Sequence, residues 1–392
     1  MTQTSVSLPD WYDAAVYPDF RVGAPWVMDD MIDLQPATVV DTLKAVDAAA
    51  RGVASWIQEA GDAPVVVVGV GTGGHAARGV TVALNAALGD STGRRVEFRE
   101  SEDQARAPRK GGVCIAVSHG GLTVSTLNAL AAARATGART AVIIAAPSSF
   151  AHDLADLVLQ LPMRDKSYCH TVGYTSPIAA GLQIGSHLNG ELLDMELVAS
   201  YLQQSVTALR AAAASIGPAW KDVERLISAG SLVDEPSARE LALDFAEAAW
   251  IPASPFGVED VLHGQMVGHD SKSALTITLT GGPEPEAAAA TAEKLLRAAG
   301  HIGLHVTLIA SEDISSLIAP DSTPEGRLVI PSTTLPPVVQ TLLGGAIALQ
   351  ALTMSLVYVR GTNPDFLRRE QQQYREAVPL GGAKRTASDP RH

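Results

Sequence analysis

Cysteine is scarce in this chain of 392 residues, which contains only Cys114 and Cys169. Two cysteines cannot make a disulfide framework, and their positions do not match the spacing of a metal site. The ten histidines also lack the HExxH pattern and other ligand spacings, so we expect neither a metal nor another cofactor. This composition is typical of a protein from a reducing cytoplasm.

Basic residues are also in short supply, with 29 Lys and Arg against 42 Asp and Glu and a net charge of -13. This balance excludes a large basic surface for nucleic acid or an anionic membrane, so an anionic ligand has to be held locally. Residues 1–21 have no apolar core behind a basic start and do not resemble a signal peptide. The nearly apolar run 342–359 contains two glycines and Gln350, and we expect a buried core helix there.

Strand and helix patterns alternate along the first half of the chain. An amphipathic helix is predicted over 38–59. The β-branched run 65–69 then breaks into a glycine-rich turn and resumes as a helical pattern to residue 88. Further strands are predicted at 113–117 and 140–145, on either side of a helix over 123–135. Such alternation predicts an α/β fold with a mostly parallel sheet covered by helices.

The same theme returns after a helical stretch over 191–216, which ends at Gly217 and Pro218. Strands are predicted at 226–229, 274–279 and 306–310, with helices at 237–249 and 291–299. Gly137 and Gly300 each follow a helix and lie 163 residues apart, which indicates two similar halves. We therefore expect an N-terminal arm and lead-in (1–37), a first domain (38–216), a second domain (217–380) and a flexible tail (381–392).

Two glycine-rich turns are candidate ligand loops. Gly69, Gly71 and Gly74 satisfy G-x-G-x-x-G after a strand, which is compatible with dinucleotide binding or simply with a tight strand-to-helix turn. Residues 118–123 offer two hydroxyls, backbone N–H groups and the positive end of a helix, which together suit a phosphate. An ordinary Ser/Thr helix cap has the same local pattern.

Three acids, Glu240, Asp244 and Glu247, recur at i, i+4 and i+7 and so share one helix face. A solvated acidic stripe is the simpler interpretation. The apolar residues around them instead favour desolvation, which would raise a carboxyl pKa into the range useful for proton transfer. Cys169 has no paired base in the sequence, and a nucleophilic role is not favoured.

At several of these motifs the chain resembles the sugar isomerase (SIS) phosphosugar-binding family. Residues 118–126 are similar to its phosphate loop, with Gly120 where a second serine is usual, and 26–43 are similar to its lead-in helix. His263-Gly264 stands sixteen residues after Glu247, as in the family's acid–base pair, and 360–365 resembles its closing motif. The likeness is to double SIS members related to the isomerase half of glucosamine-6-phosphate synthase and to fructosamine-6-phosphate deglycases.

The resemblance implies two tandem flavodoxin-like SIS domains in a homodimer, with the site at or near the subunit interface. Glu247 would be the base, and His263 would open the sugar ring, reaching in from the partner subunit. The resemblance implies substrate contacts at Gly71, Thr72, Gly73, Ser118, His119, Gly120, Gly121, Thr123, Asp165 and Glu240.

The implied function is isomerisation of a ketose phosphate or amino-sugar phosphate through an enediol or enolamine, with or without deamination. Deglycation of a fructosamine 6-phosphate and non-catalytic phosphosugar sensing remain as alternatives, followed by a dinucleotide-dependent oxidoreductase. No glutaminase segment precedes the first domain in this sequence, and Gln372 stands where the synthase carries its Schiff-base lysine, with Lys384 further on. We therefore do not expect full synthase activity, nor nucleic acid or a membrane as a partner.

Overall fold

Two parallel five-stranded sheets form the frame of the protein, as seen in a computed structural model that describes residues 8–14, 17–89 and 95–381. Every strand pairing within them is parallel. Buried β-branched runs such as Val65–Gly69 form the central strands, because a parallel sheet is covered by helices on both faces. The predicted α/β class is confirmed.

The first half contains five strands and seven helices in the described residues. In chain order they are α1 (Val27–Glu59), β1 (Val65–Gly69), α2 (Thr72–Leu88), β2 (Val96–Glu100), α3 (Ser101–Arg106), β3 (Val113–Ser118), α4 (Val124–Ala135), β4 (Arg139–Ile144), α5 (Phe150–Leu154), β5 (Leu157–Gln160), α6 (Val172–Asn189) and α7 (Met195–Ile216).

The second half repeats the alternation and adds two π-helical turns. Its elements are β6 (Arg225–Ala229), α8 (Glu235–Asp244) with a π-turn (Phe245–Ala249), β7 (Ala253–Phe256), α9 (Val258–Leu262), β8 (Ser273–Leu279), α10 (Pro285–Ile302), β9 (His305–Ser311), α11 (Glu312–Leu317), β10 (Leu328–Ile330), α12 (Pro337–Val339), a π-turn (Gln340–Gly344), α13 (Gly345–Arg360) and α14 (Gln372–Leu380).

The two sheets have the same strand order. The first runs β2-β1-β3-β4-β5 and the second runs β7-β6-β8-β9-β10, which is the flavodoxin-like order 2-1-3-4-5 in both halves. In such sheets ligands bind beyond the carboxyl ends of the strands where the order reverses. The expected ligand crevices therefore lie between β1 and β3 and between β6 and β8.

The helices deviate from the predicted bounds in two places that matter. Helix α1 begins at Val27 rather than residue 38, so the predicted boundary at 37/38 falls inside one helix that also includes Pro36. The helix predicted over 237–249 changes at Phe245 into a π-turn that ends at Trp250, whose φ is +58°. A π-turn inside a helix is often found at a functional site.

The core joins the two halves. Its largest apolar cluster contains side chains of α1, α6, α7 and α13 together with residues of both sheets, and smaller clusters cover the outer sheet faces. The helical stretch Pro337–Arg360 is long and apolar enough to cross a membrane, but 89% of its apolar window is buried in the fold. It is a core helix here, as predicted for residues 342–359.

A carboxylate near the C-terminus closes the fold over the N-terminus of α1. Asp365 accepts hydrogen bonds from the backbone N–H groups of Val27 (2.8 Å) and Met28 (2.9 Å) and from the Ser167 hydroxyl (3.3 Å). An anion at this position stabilises a helix N-terminus, because the first N–H groups have no partner within the helix. This contact holds the end of the second half against the first.

Candidate active site

The loop after β3 is built as a helix N-terminus with an open side. Ser118 ends the strand, and its Oγ accepts a hydrogen bond of 3.0 Å from the N–H of Gly121, whose φ is +65°. A Cβ at Gly121 would collide with the Ser149 hydroxyl, whereas one at Gly120 would meet open space. Thr123 is the N-cap of α4, but its hydroxyl makes no capping bond. The loop thus keeps a hydroxyl and N–H groups available for an anion.

The turn after β1 is as tight as its glycines predict. Gly71, with φ +59°, caps α2 and accepts hydrogen bonds from the N–H groups of Gly74 (2.8 Å) and His75 (2.9 Å). A Cβ at Gly73 would stand 3.1 Å from the carbonyl oxygen of Val117 in β3. Gly73 therefore allows α2 to pack directly on the neighbouring strand, and Thr72 begins the helix beside it.

Asp165 organises the segment that leads into α6. Its carboxylate accepts hydrogen bonds from the N–H groups of Ser167 (3.0 Å), Thr171 (2.6 Å) and Gly173 (2.8 Å), and its side chain is fully buried. The backbone N–H of Asp165 also donates to Nε2 of His119 at 3.0 Å. The structure thus places Asp165 beside the 118–123 loop, where it shapes the backbone that borders the site.

The three acids of α8 and its π-turn form a largely buried cluster instead of a solvated stripe. Glu240 and Asp244 are 0% exposed, and Glu247 is partly exposed. Burial raises the pKa of Asp244 well above its ordinary value, and the neighbouring Glu240 and Glu247 raise it further. Among the described residues, Oε1 of Glu240 and Oδ2 of Asp244 have no hydrogen-bond partner. Burial in this cluster therefore favours the protonated form of Asp244.

Glu247 is the acid placed best for proton transfer. Burial first, and then the charge of Glu240, raises its pKa from the usual 4.5 to about 8, while the positive charge of Arg369 opposes the shift. The π-turn carries Glu247 at the partly exposed end of the cluster. A carboxyl group with a pKa near the working pH can both accept and return a proton.

Cys169 connects this cluster to the segment that follows Asp165. Its thiol donates to Oδ1 of Asp244 at 3.5 Å, and burial raises its pKa well above the ordinary value. One ligand atom from each of Cys169, Asp244 and Glu247 lies within 4.8 Å of the others. The sequence did not predict this grouping, because Cys169 and Asp244 are 75 residues apart. These three side chains form one polar cluster.

Two histidines, the predicted His263 and His75 beside the ligand turn, have very different surroundings. His263 ends α9, its side chain is 79% exposed, and its Nε2 lies 3.3 Å from Oε2 of Glu259. Among the hydrogen bonds and ion pairs of the described residues, none joins His263 to another predicted site residue. His75, in the first turn of α2, places Nδ1 2.6 Å from Oε2 of Glu240 and is 19% exposed.

The second crevice, between β6 and β8, is occupied by the protein itself. Oδ1 and Oδ2 of Asp234 each accept the N–H of Thr280 at 3.1 Å, and the Thr280 hydroxyl donates to Oδ1 at 2.5 Å. Burial raises the pKa of Asp234 to about 7. The candidate site is therefore built on the first crevice, with α8 of the second half as its wall.

The C-terminal segment also borders the site, which the sequence did not predict. The guanidinium of Arg369 lies 4.2 Å from the ring centroid of Tyr168, and that of Arg368 lies 4.8 Å from the ring centroid of Trp250. Gln372, at the synthase lysine position, starts α14 and donates to Glu376 at 2.6 Å. Lys384 and the predicted tail beyond residue 381 lie outside the described residues.

Comparisons with known proteins add to this geometry. No family model matches the chain. It is 25% identical over 282 residues to a glutamine–fructose-6-phosphate aminotransferase (isomerizing) of Zymomonas mobilis, a match that covers 68% of this chain and 44% of that protein. The chain thus matches less than half the length of its curated relative.

Solved structures show the fold. The C-terminal domain of glucosamine-fructose-6-phosphate aminotransferase from Francisella tularensis superposes with a TM-score of 0.71 at 16% identity, covering 88% of this chain and 98% of that domain. Tagatose-6-phosphate ketose/aldose isomerase from Escherichia coli gives the same TM-score and identity, covering 89% and 97%. In fold, these comparisons confirm the resemblance predicted from the sequence, because the chain has the same double-domain α/β fold as both structures.

Proposed function

We propose that the protein is a phosphosugar isomerase that moves a proton between C1 and C2 of a ketose phosphate or amino-sugar phosphate. This proposal rests on Glu247. Its pKa is raised to about 8, so the carboxyl group can accept and return a proton near neutral pH. The isomerizing aminotransferase and the ketose/aldose isomerase to which the chain is similar support the same class.

The substrate's phosphate binds at the first crevice in this proposal. The N-terminus of α4, the hydroxyls of Ser118 and Thr123, and Thr72 across the crevice supply the groups that suit a dianion. Contacts link this loop to the base: Asp165 bonds to His119, and Cys169 bonds to Asp244 in the acid cluster. The sugar would extend from the loop along this path to Glu247.

Ring opening is assigned in the proposal to His263 of a second copy of the chain. The exposed position of His263, outside the contact network of the other site residues, fits a side chain that completes a neighbouring site. We therefore propose a homodimer. Proton transfer at carbon by Glu247 does not require a cofactor, since an enediol forms by acid–base chemistry alone.

The test is hydrogen exchange followed by NMR in D2O. Purified protein is incubated separately with fructose 6-phosphate, glucosamine 6-phosphate and a fructosamine 6-phosphate, beside a Glu247→Gln variant and a Glu293→Gln control on the distant helix α10. We expect deuterium to enter C1 or C2 of one sugar with the wild type and the control, and exchange to be lost with Glu247→Gln. Exchange that persists in Glu247→Gln, or absence of exchange from every sugar, would contradict the proposal.

A further inference from the structure

We propose that His75 is a second catalytic residue, which relays the proton between the O1 and O2 oxygens of the substrate while Glu247 moves the proton between C1 and C2. This inference rests on the proposed isomerase function and deepens it. Isomerisation requires both transfers, because a carbonyl oxygen must gain a proton when the enediol forms. Glu247 acts on carbon and His263 of the second copy acts in ring opening, so neither is assigned the transfer between the oxygens.

His75 lies where α2 of the first half of the chain packs on α8 of the second half. It lies in the first turn of α2, three residues after Thr72, and its backbone N–H bonds to Gly71 of the ligand turn. Its ring contacts Glu240 on α8, the helix that leads to Glu247. The charge of Glu240 is close enough to Glu247 to raise the pKa of that base. His75 therefore lies between the ligand turn and the acid cluster.

The hydrogen bond to Glu240 determines which ring atom can react. Nδ1 of His75 is 2.6 Å from Oε2 of Glu240, a side chain with no exposed surface. Among the described residues, Nε2 of His75 has no hydrogen-bond partner in the protein. A carboxylate that holds one ring nitrogen orients the imidazole and leaves the other nitrogen for proton exchange. Glu240 is thus a positioning residue, and Nε2 is the reactive atom.

The reaction balances with these two groups. Glu247 takes a proton from C1 of the open-chain ketose, and the C1–H electron pair becomes the C1–C2 double bond. O2 takes the Nε2 proton of a His75 imidazolium, which leaves a neutral imidazole whose remaining proton is on Nδ1, facing Glu240. In the second half O1–H returns a proton to Nε2, and Glu247 returns its proton to C2. The product is an aldehyde at C1, and both residues recover their starting states. A carboxylate base paired with a histidine performs this chemistry on another fold.

The decisive probe is 5-deoxyfructose 6-phosphate, a ketone that cannot close its ring because the ring-forming hydroxyl is missing. It removes ring opening from the measurement, so only enolisation is observed. Deuterium exchange at C1 gives kcat and KM, and the infrared band of the carbonyl, labelled with carbon-13 at C2, reports the hydrogen bond to O2. The variants are His75→Gln and, as the matched control, His305→Gln.

His305 is a suitable control because its ring makes the same contact elsewhere. Its Nδ1 lies 2.6 Å from Oε1 of Glu325, and it begins β9, at the amino end of the strand and so opposite the carboxyl ends that form the crevices. We expect His75→Gln to lower kcat on the probe by about 100-fold or more, with KM changed by less than about threefold. We also expect the bound carbonyl band to return to its solution frequency, whereas His305→Gln keeps the wild-type values.

Glu240 provides a second pair of variants. Glu240→Gln retains an acceptor for Nδ1, so we expect its kcat to stay within about tenfold of the wild type, whereas Glu240→Ala should lose kcat as His75→Gln does. Wild-type kcat or an unchanged carbonyl band in His75→Gln would overturn the role of His75 and leave the proposed isomerase function standing. If the wild type exchanges neither the probe nor any of the three sugar phosphates, the proposed function itself is wrong.

Discussion

Replacing Glu247 with Gln should stabilise the fold at alkaline pH, in addition to removing the proposed base. The carboxyl group lies in the buried acid cluster of α8, and its pKa is raised from 4.5 to about 8, first by burial and then by Glu240. Its ionised form is therefore unfavourable in the folded protein. Gln has nearly the same shape and cannot ionise, so it removes this unfavourable charge.

The sign and size follow from proton linkage. Below pH 4.5 the carboxyl is protonated in both the folded and the unfolded chain, and the stability that it contributes is fully present. As pH rises towards about 8, the unfolded chain ionises and the folded chain does not, so that stability is lost. At about 1.4 kcal/mol per pH unit, the full loss between the two pKa values is about 5 kcal/mol.

Urea denaturation at about pH 5 and about pH 9 measures this effect. The difference in unfolding free energy between Glu247→Gln and the wild type should become more favourable to the variant by about 3 to 4 kcal/mol between the two conditions. Glu293→Gln, which replaces a carboxylate on α10 that is paired with Arg297, should show no comparable change. A difference for Glu247→Gln that is equal at both pH values would refute the reasoning.

Two further predictions concern the ends of helices. Asp365→Ala removes the acceptor for two N–H groups at the start of α1 and should lower the free energy of unfolding by about 2 to 4 kcal/mol. Asp321→Ala, at an exposed site, should change it by less than about 0.5 kcal/mol. Equal urea midpoints for the two variants would contradict this prediction. Thr123→Val should weaken binding of a sugar phosphate about five- to tenfold in calorimetry without changing thermal stability, because one hydrogen bond to the anion is lost. Thr136→Val, at the other end of α4, should bind as the wild type does, and equal affinities for both threonine variants would count against the phosphate loop.

The sequence patterns predicted the interior of both sheets and missed their edges. All six strands predicted from the sequence are central ones, and each is a buried, largely β-branched or apolar run such as Val65–Gly69. The four edge strands are shorter or less apolar than these runs, and Leu157–Gln160 is apolar but has only four residues. Val96–Glu100 is mostly charged, Ala253–Phe256 contains a proline, and Leu328–Ile330 has three residues. An edge strand pairs on one side only, so its sequence can tolerate charge and proline.

The acid cluster was only partly predictable. The i, i+4, i+7 spacing of Glu240, Asp244 and Glu247 showed that they share a face, but spacing cannot tell whether that face meets solvent or another helix. The structure decides this because α2 packs on α8. Cys169 and Arg369 approach the acids from distant parts of the chain, and no local pattern in their own segments indicated this.

The duplicated fold explains why the proposed His75–Glu240 pair lies at the centre of the molecule. Helix α2 follows the first strand of the first sheet and α8 follows the first strand of the second, so the two helices are equivalent elements of the two halves. Gly300, predicted to follow a helix, lies inside α10, and the glycine that ends this helix is Gly303. His75 and Glu240 are 165 residues apart, close to the 166 residues that separate Gly137 and Gly303, the glycines of positive φ that precede β4 and β9. A contact between near-equivalent positions is what packing two similar halves face to face produces. The repeated fold thus packs α8, which carries the acids, against the ligand turn that begins α2. Asp234 fills the other crevice. Two copies of the same topology therefore form a single site.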